Sequence, residues 1–217
     1  MTLKETYIKW LKQPVYYHSK CRPRYYHNDY FESFPEFDEN ESKLNDFDGD
    51  IWFISDYHFG HKNILSFSKR PFNDLDDMEN KLVEFHNMMV KPEDIVINVG
   101  DFSLCNRTES TRIMKRMNGY KILVLGNHDV QHRKFKNTGW DEVYVCKEMV
   151  YNDVTLKITH FPLMDNDDGI NVHGHVHVDP DGLTSKNAFR GGEHHHNVNC
   201  EFINYVPIHI DKIVGKK

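Results

Sequence analysis

Residues 171–177 read NVHGHVH, with imidazoles at His173, His175 and His177 around one glycine. Imidazole serves as a metal ligand or a proton carrier near neutral pH, yet 15 histidines in 217 residues also cluster by chance. The remaining donors decide between the two. Asp56 and His58 follow the apolar run IWFIS, and Asp101 follows DIVINVG. Asn127 and His128 follow KILVLG, and His160 follows VTLKIT. Asp56, His58, Asp101, Asn127, His160, His175 and His177 are too many donors for one four-coordinate zinc. They suit two ions about 3.5–4 Å apart with a carboxylate able to bridge them. A mixed imidazole and carboxylate set points to Mn, Fe or Zn before Mg, with Mn favoured. Paired ions lower the pKa of a shared water and hold phosphoryl oxygens for in-line attack, so no serine or cysteine nucleophile is needed.

Such donors need elements to position them. The runs at 51–55, 94–100, 121–126, 154–159 and 170–172 are short and rich in β-branched residues, as expected of strands buried on both faces. Each delivers its polar residues at its carboxyl end, where open α/β sheets place ligands. Leu75, Met78, Leu82, Phe85 and Met89 recur at helical spacing, predicting a helix that starts at Asn73 or Asp74 and stops near Pro92. Ile113, Met114 and Met117 predict a shorter one, capped by Thr108 or Ser110 and ended by Gly119. The Met88-Met89 pair, Met114 and Met117 read as core fillers. Strand–helix–strand–helix–strand implies parallel strands with right-handed crossovers. EVYVCKEMVYNDVTLKITH reads as a hairpin turning at Asn152-Asp153, and HNVNCEFINYVPIHIDKIV as strand-like again. The fold class is α/β, with two packed sheets or one mixed sheet flanked by helices.

Residues 1–49 differ: tyrosine, phenylalanine and acidic residues crowd them without a sustained period. A short helix with Leu3, Tyr7, Trp10 and Leu11 on one side, ended by Pro14, fits their start. So many aromatics suggest an extension packed on the 50–217 body, not a disordered tail.

The chain is long enough for one domain without disulfides. Its four cysteines, Cys21, Cys105, Cys146 and Cys200, form no C-x-x-C pair, which fits a reducing, cytoplasmic compartment. The formal net charge of −6 argues against a general grip on nucleic acid. Neither a membrane-spanning run nor a signal peptide is visible.

D-x-H (Asp56, His58), G-D (Gly100, Asp101), G-N-H-D (Gly126 to Asp129), a single histidine at a strand end (His160) and G-H-x-H (Gly174 to His177) occur in this order. The set resembles the calcineurin-like metallophosphoesterase superfamily, above all its small bacterial and phage members, over residues 50–213. The resemblance implies a sandwich of two mixed β-sheets flanked by helices. It implies that Asp56, His58 and His177 hold one metal, that Asp101 bridges, and that Asn127, His160 and His175 complete the second. His128 would face the substrate as general acid or charge-stabilising donor. His173 falls outside the ligand set. After Gly100-Asp101 the chain runs FSLCNR, unlike the protein-phosphatase branch, so a phosphate clamp must come from elsewhere. His61, Asn63 and Arg70 are the candidates.

Singly, these residues have duller readings: Asp56 or Asp101 as a helix N-cap, Asn127 as a turn residue, His160 as a satisfied histidine. Their joint order argues for the metal centre. Elsewhere the dull reading prevails, for GGEHHHN at 191–197 as a Gly-rich loop and for DNDDG at 165–169 as a solvated one. The expected activity is dimetal-dependent hydrolysis of phosphate esters by a bridging hydroxide, diesters ahead of monoesters. The expected partner is a small nucleotide-like or cyclic phosphodiester. Alternatives are a nuclease acting on DNA or RNA, and a silent binding scaffold of the same fold.

Overall fold

The structure is a computed structural model and describes residues 2–11, 31, 32, 34, 37–132, 135, 137–163, 168–177 and 194–215. Two sheets face each other. The first is built from β1 (Ile51–Ile54), β2 (Ile95–Asn98), β3 (Tyr120–Val124) and β4 (Glu142–Tyr144), all parallel, with β9 (Ile208–His209) antiparallel beside β1. The second contains β5 (Lys147–Tyr151), β6 (Val154–Thr159), β7 (Ile170–His173) and β8 (His195–Asn197). In it only the β5–β6 pair is antiparallel.

The alternation of β1 explains why its run is apolar throughout. Ile51 and Phe53 pack with Leu156, Ile158 and Val172 of the opposite sheet. Trp52 and Ile54 point the other way and pack beneath Met78 and Leu82. Those two residues belong to a helix, Leu75–Met89, which follows the short α2 (Ile64–Phe67) and is labelled α3. The Asp74 side chain caps α3 by accepting from Asp77 N–H, and the helix gives way at Val90.

The expected stripe of α3 is shifted. Met78, Leu82, Val83 and His86 are buried, Phe85 and Met89 only partly, and Met88 is 67% exposed and fills no core. Helix α4 (Arg107–Met114) connects β2 to β3. Its cap is the Asn106 carboxamide, which accepts from Glu109 N–H; neither Thr108 nor Ser110 takes that role. Gly119 has the left-handed φ of +89, but it turns the chain into β3 and does not end the helix.

Asn152 and Asp153 both have positive φ, as the turn of a two-residue hairpin requires, and Tyr151 pairs with Val154. The segment before this hairpin departs from expectation, because Glu142–Tyr144 joins the first sheet beside β3. His195 and His196, read as loop residues, lie on β8.

Helix α1 (Leu3–Leu11) lays buried Tyr7 and Leu11 among Phe161, Leu163, Leu123 and Leu125. The Tyr7 hydroxyl accepts from Phe161 N–H at 3.1 Å. Glu142, 1% exposed, accepts from Ser42 Oγ (2.7 Å), Lys43 N–H (2.9 Å) and the Tyr144 hydroxyl (2.7 Å). Residues 12–30 and 164–167 lie outside the described residues, which leaves Pro14 and most of DNDDG without a structural account.

Candidate metal centre

Asp56 follows β1, Asp101 follows β2, His160 follows β6, and His175 and His177 follow β7. Asn127 opens α5 (Asn127–His132), just after β3. At each point the chain must leave the sheet and aim a side chain across its edge. Asp56, His58, Asp101 and His175 do so with φ of 58°, 52°, 55° and 64°. A left-handed conformation in non-glycine residues costs roughly 1–3 kcal/mol each and persists where surrounding structure enforces it. Two motif glycines make room. A methyl at Gly126 would overlap the Asp101 carboxylate, and one at Gly174 the Asp56 carboxylate and Ser55 Oγ.

The side chains converge as three groups, the donor atoms of each within 4.8 Å of one another: Asp56–His58–His177, His58–Asp101–His128 and Asp101–His160–His175. Asp56 Oδ2 is held by Ser55 Oγ (2.6 Å) and His175 N–H (3.0 Å). That leaves Oδ1 aimed at His177 Nε2 (3.4 Å) and His58 Nε2 (3.6 Å). Asp101 Oδ1 accepts from His128 N–H (2.9 Å). Its Oδ2 lies 3.5 Å from His160 Nε2, 3.7 Å from His58 Nε2 and 3.9 Å from His128 Nε2. His58 Nε2 and His177 Nε2 stand 3.2 Å apart, a spacing natural to neighbouring ligands around an ion with bonds of about 2.0–2.1 Å.

Charge points the same way. Burial opposes any charge here, yet the Asp101 carboxylate overrides it and raises His160 to about 9. The carboxylates of Asp56 and Glu201 likewise raise His177, against burial, to about 10. Both carboxylates are held well below the usual range despite burial. The pocket thus demands positive charge. His58, lowered by burial, and His175, pushed down by burial to about 3, are in the neutral form that ligates metals. Asp56 Oδ1, Asn127 Oδ1 and His160 Nε2 are buried without a hydrogen-bond partner among the described residues. Orphaned donors and acceptors of this kind call for a ligand, and divalent cations fit the set.

Partners outside the ligand set orient it. His160 Nδ1–H donates to the Val99 carbonyl at 2.8 Å, turning Nε2 toward Asp101. Asp129 accepts from the N–H groups of Asp101 (2.8 Å), Gly126 (2.9 Å) and Phe102 (3.2 Å). Burial and the adjacent Asp101 charge push Asp129 up to about 7. Glu201 accepts from His177 Nδ1 at 2.9 Å. Sequence reasoning missed the roles of Asp129 and Glu201. The last letter of the G-N-H-D motif signalled the first, and no local pattern signalled the second.

The expected substrate residues divide. His61 lies beside the centre, its ring 5.4 Å from that of His58 and 6.1 Å from that of His128. Burial and then the neighbouring imidazoles push it down to about 4. Asn63 is exposed at the start of α2, with no capping bond from its side chain. Arg70 is no phosphate clamp. It is 4% exposed, and its guanidinium is engaged by Glu201 and by the Asp56 and Tyr57 carbonyls. His173 is buried against the Gly174 carbonyl and lies outside all three donor groups.

The family model for calcineurin-like phosphoesterase matches residues 49–205. Uncharacterized protein MJ1445 of Methanocaldococcus jannaschii is 33% identical over 170 residues, 76% of this chain and 89% of that protein. The crystal structure of the protein of unknown function AQ665 from Aquifex aeolicus superposes with a TM-score of 0.61 at 28% identity. The match covers 77% of this chain and 99% of that one. Two facing sheets with Asp, Asn and His at their strand ends, and a family match over most of the chain, give one conclusion: this chain belongs to the calcineurin-like phosphoesterase family, the metal-dependent hydrolases of phosphate esters.

Proposed function

We propose that the chain hydrolyses phosphodiesters, small nucleotides or cyclic phosphodiesters above all, at a two-ion centre that takes Mn. One observation carries this reading: Asp101 Oδ2 lies 3.7 Å from His58 Nε2 and 3.5 Å from His160 Nε2, one histidine from each set, as a carboxylate shared between neighbouring ions would. Asp56, His58 and His177 would hold one ion and Asn127, His160 and His175 the other, with Asp101 common to both. Ions bound there would supply Lewis acidity and water activation near neutral pH. The protein's own share is orientation and proton delivery. His128, partly exposed at 29% and within 3.9 Å of Asp101, reaches the open side of the centre. There its ring would donate to the leaving oxygen. The net charge of −6 favours a small substrate over a polyanion. Thiols at Cys105 and Cys200 support a cytoplasmic location. Among the described residues no helix is long and apolar enough to cross a membrane.

The test uses chelator-stripped protein assayed on bis-p-nitrophenyl phosphate and p-nitrophenyl phosphate with Mn, Zn, Mg or no metal. Metal-restored cleavage of the diester in excess over the monoester is expected. His128→Asn is expected to lower that rate by about 10²–10⁴-fold with Mn content unchanged. Faster cleavage of long DNA or RNA than of nucleotides, with steep salt dependence, would replace the small-substrate reading by a nuclease.

A further inference from the structure

Behind the Asp56–His58–His177 group sits a buried ion pair. Arg70 Nη2 donates to the Asp56 carbonyl at 2.7 Å, Nη1 to the Tyr57 carbonyl at 2.8 Å, and Nε to Glu201 Oε1 at 3.0 Å. The same Oε1 accepts from His177 Nδ1 at 2.9 Å. Both guanidinium and carboxylate are withdrawn from solvent, at 0% and 2% side-chain exposure. The two carbonyls lie between Asp56 and His58, the residues driven to left-handed φ. One rigid fork therefore gathers the loop after β1 and, through Glu201, the histidine that follows β7. Lysine, with a single ammonium, cannot reproduce three bonds in that geometry. The Asp101–His160–His175 group leans instead on the Val99 carbonyl and on Asp129.

We infer that Arg70, acting through Glu201, is a positioning residue for one ion subsite only. It fixes the Asp56–His58 loop and the His177 tautomer, so the affinity of this subsite is set separately from that of its neighbour. The inference rests on the two-ion reading above. Carboxylate partners of metal-bound histidines work in this way, by orienting the ring and raising its basicity.

The test is Mn(II) binding to chelator-stripped full-length protein, followed by calorimetry and by electron paramagnetic resonance. The unsubstituted chain is expected to bind two ions and to give the signal of a coupled pair. In Glu201→Ala one Mn(II) is expected to weaken about 10–100-fold while the other is unchanged. At one equivalent of metal the signal becomes that of an isolated ion. Glu201→Gln, which keeps an acceptor for Nδ1–H, recovers part of the loss. Arg70→Ala, read in whichever preparation keeps the native circular dichroism, follows Glu201→Ala. Two affinities falling in step, or neither falling in the folded variants, would overturn the inference. Fewer than two Mn(II) in the unsubstituted chain would instead overturn the two-ion reading beneath it.

Discussion

Asp56, His58 and His177 rest on the charged side chains of residues 70 and 201, whereas Asp101 and His160 are held by peptide groups, the His128 N–H and the Val99 carbonyl, with Asp129 accepting from the Asp101 N–H. Peptide donors and acceptors arrive with the fold itself, and side-chain substitutions other than proline leave them in place. A buried Arg–Glu pair needs two chosen residues, far from their clients in the chain, and each stays tolerable in the interior only while the other is present. The two halves of one centre should therefore differ in how they fail. One half hangs on a buried ion pair, and the other on peptide groups and on Asp129.

The strongest challenge to this contrast is Asp101→Asn, because Asp101 joins both halves. Mn-dependent turnover is expected to fall by more than the ~100-fold that a supporting partner costs. Retention of most of the rate in a kcat measurement would mean that nothing is shared. Next comes Arg70→Ala in metal-free protein, which strands Glu201 in the interior and should cost about 3–5 kcal/mol in urea unfolding. Asp129→Asn, on the other side, disturbs hydrogen bonds to three backbone N–H groups and is expected to cost less, about 1–3 kcal/mol. Equal losses in the two variants would erase the distinction.

A pH experiment sharpens it further. His86 supports Tyr57, the residue between Asp56 and His58, through a 2.9 Å bond to the phenol, and its Nε2 faces the Asn118 carbonyl at 3.0 Å. Burial pushes His86 from 6.5 down to about 4. The folded state keeps the ring neutral while the unfolded chain takes up a proton. The contribution to stability is therefore complete above pH 6.5 and lost as pH falls towards 4, a total of about 3 kcal/mol. Urea midpoints across that window should fall less steeply in His86→Gln than in the unsubstituted chain. An identical slope would remove His86 from the buttress. The smallest effect belongs to His173→Gln. It is expected to cost about 1 kcal/mol of stability and to leave two Mn(II) bound, as metal analysis after dialysis would report.

What could be read from the sequence was local. Asp56 and Asp101 each follow a strand buried on both faces, and His160 follows one buried on both faces only at its last two residues, so residue type, spacing and placement agree most closely at the first two. The Asn152-Asp153 turn was readable for the same reason. Arg70 shows the opposite case. Its chemistry suits a phosphate clamp, yet Glu201 and the Asp56 and Tyr57 carbonyls turn its guanidinium inward. The stretch 197–201 reads as strand-like, yet Asn197 Oδ1 accepts from Asn199 N–H and Asn199 Oδ1 from Glu201 N–H, each at 2.9 Å. Side chains that satisfy the backbone two residues ahead compete with a ladder and bend the chain. The cap of α4 was misplaced because Asn106, Thr108 and Ser110 are all competent, and the register of the helix on the sheet chooses among them.

During synthesis on the ribosome, β1 emerges long before the strand that covers its edge. Ile208 and His209 pair with Phe53 and Trp52, and the Cys200 thiol reaches back 144 residues to the Asp56 carbonyl. Until those residues are made, Asp56 and His58 lack Glu201's link to His177, and the edge of β1 is open to mispairing. Such non-local closure is slow and comes late. The support of the Asp56–His58–His177 group is therefore completed last, after the Val99 carbonyl and Asp129 that hold its neighbour have already been made.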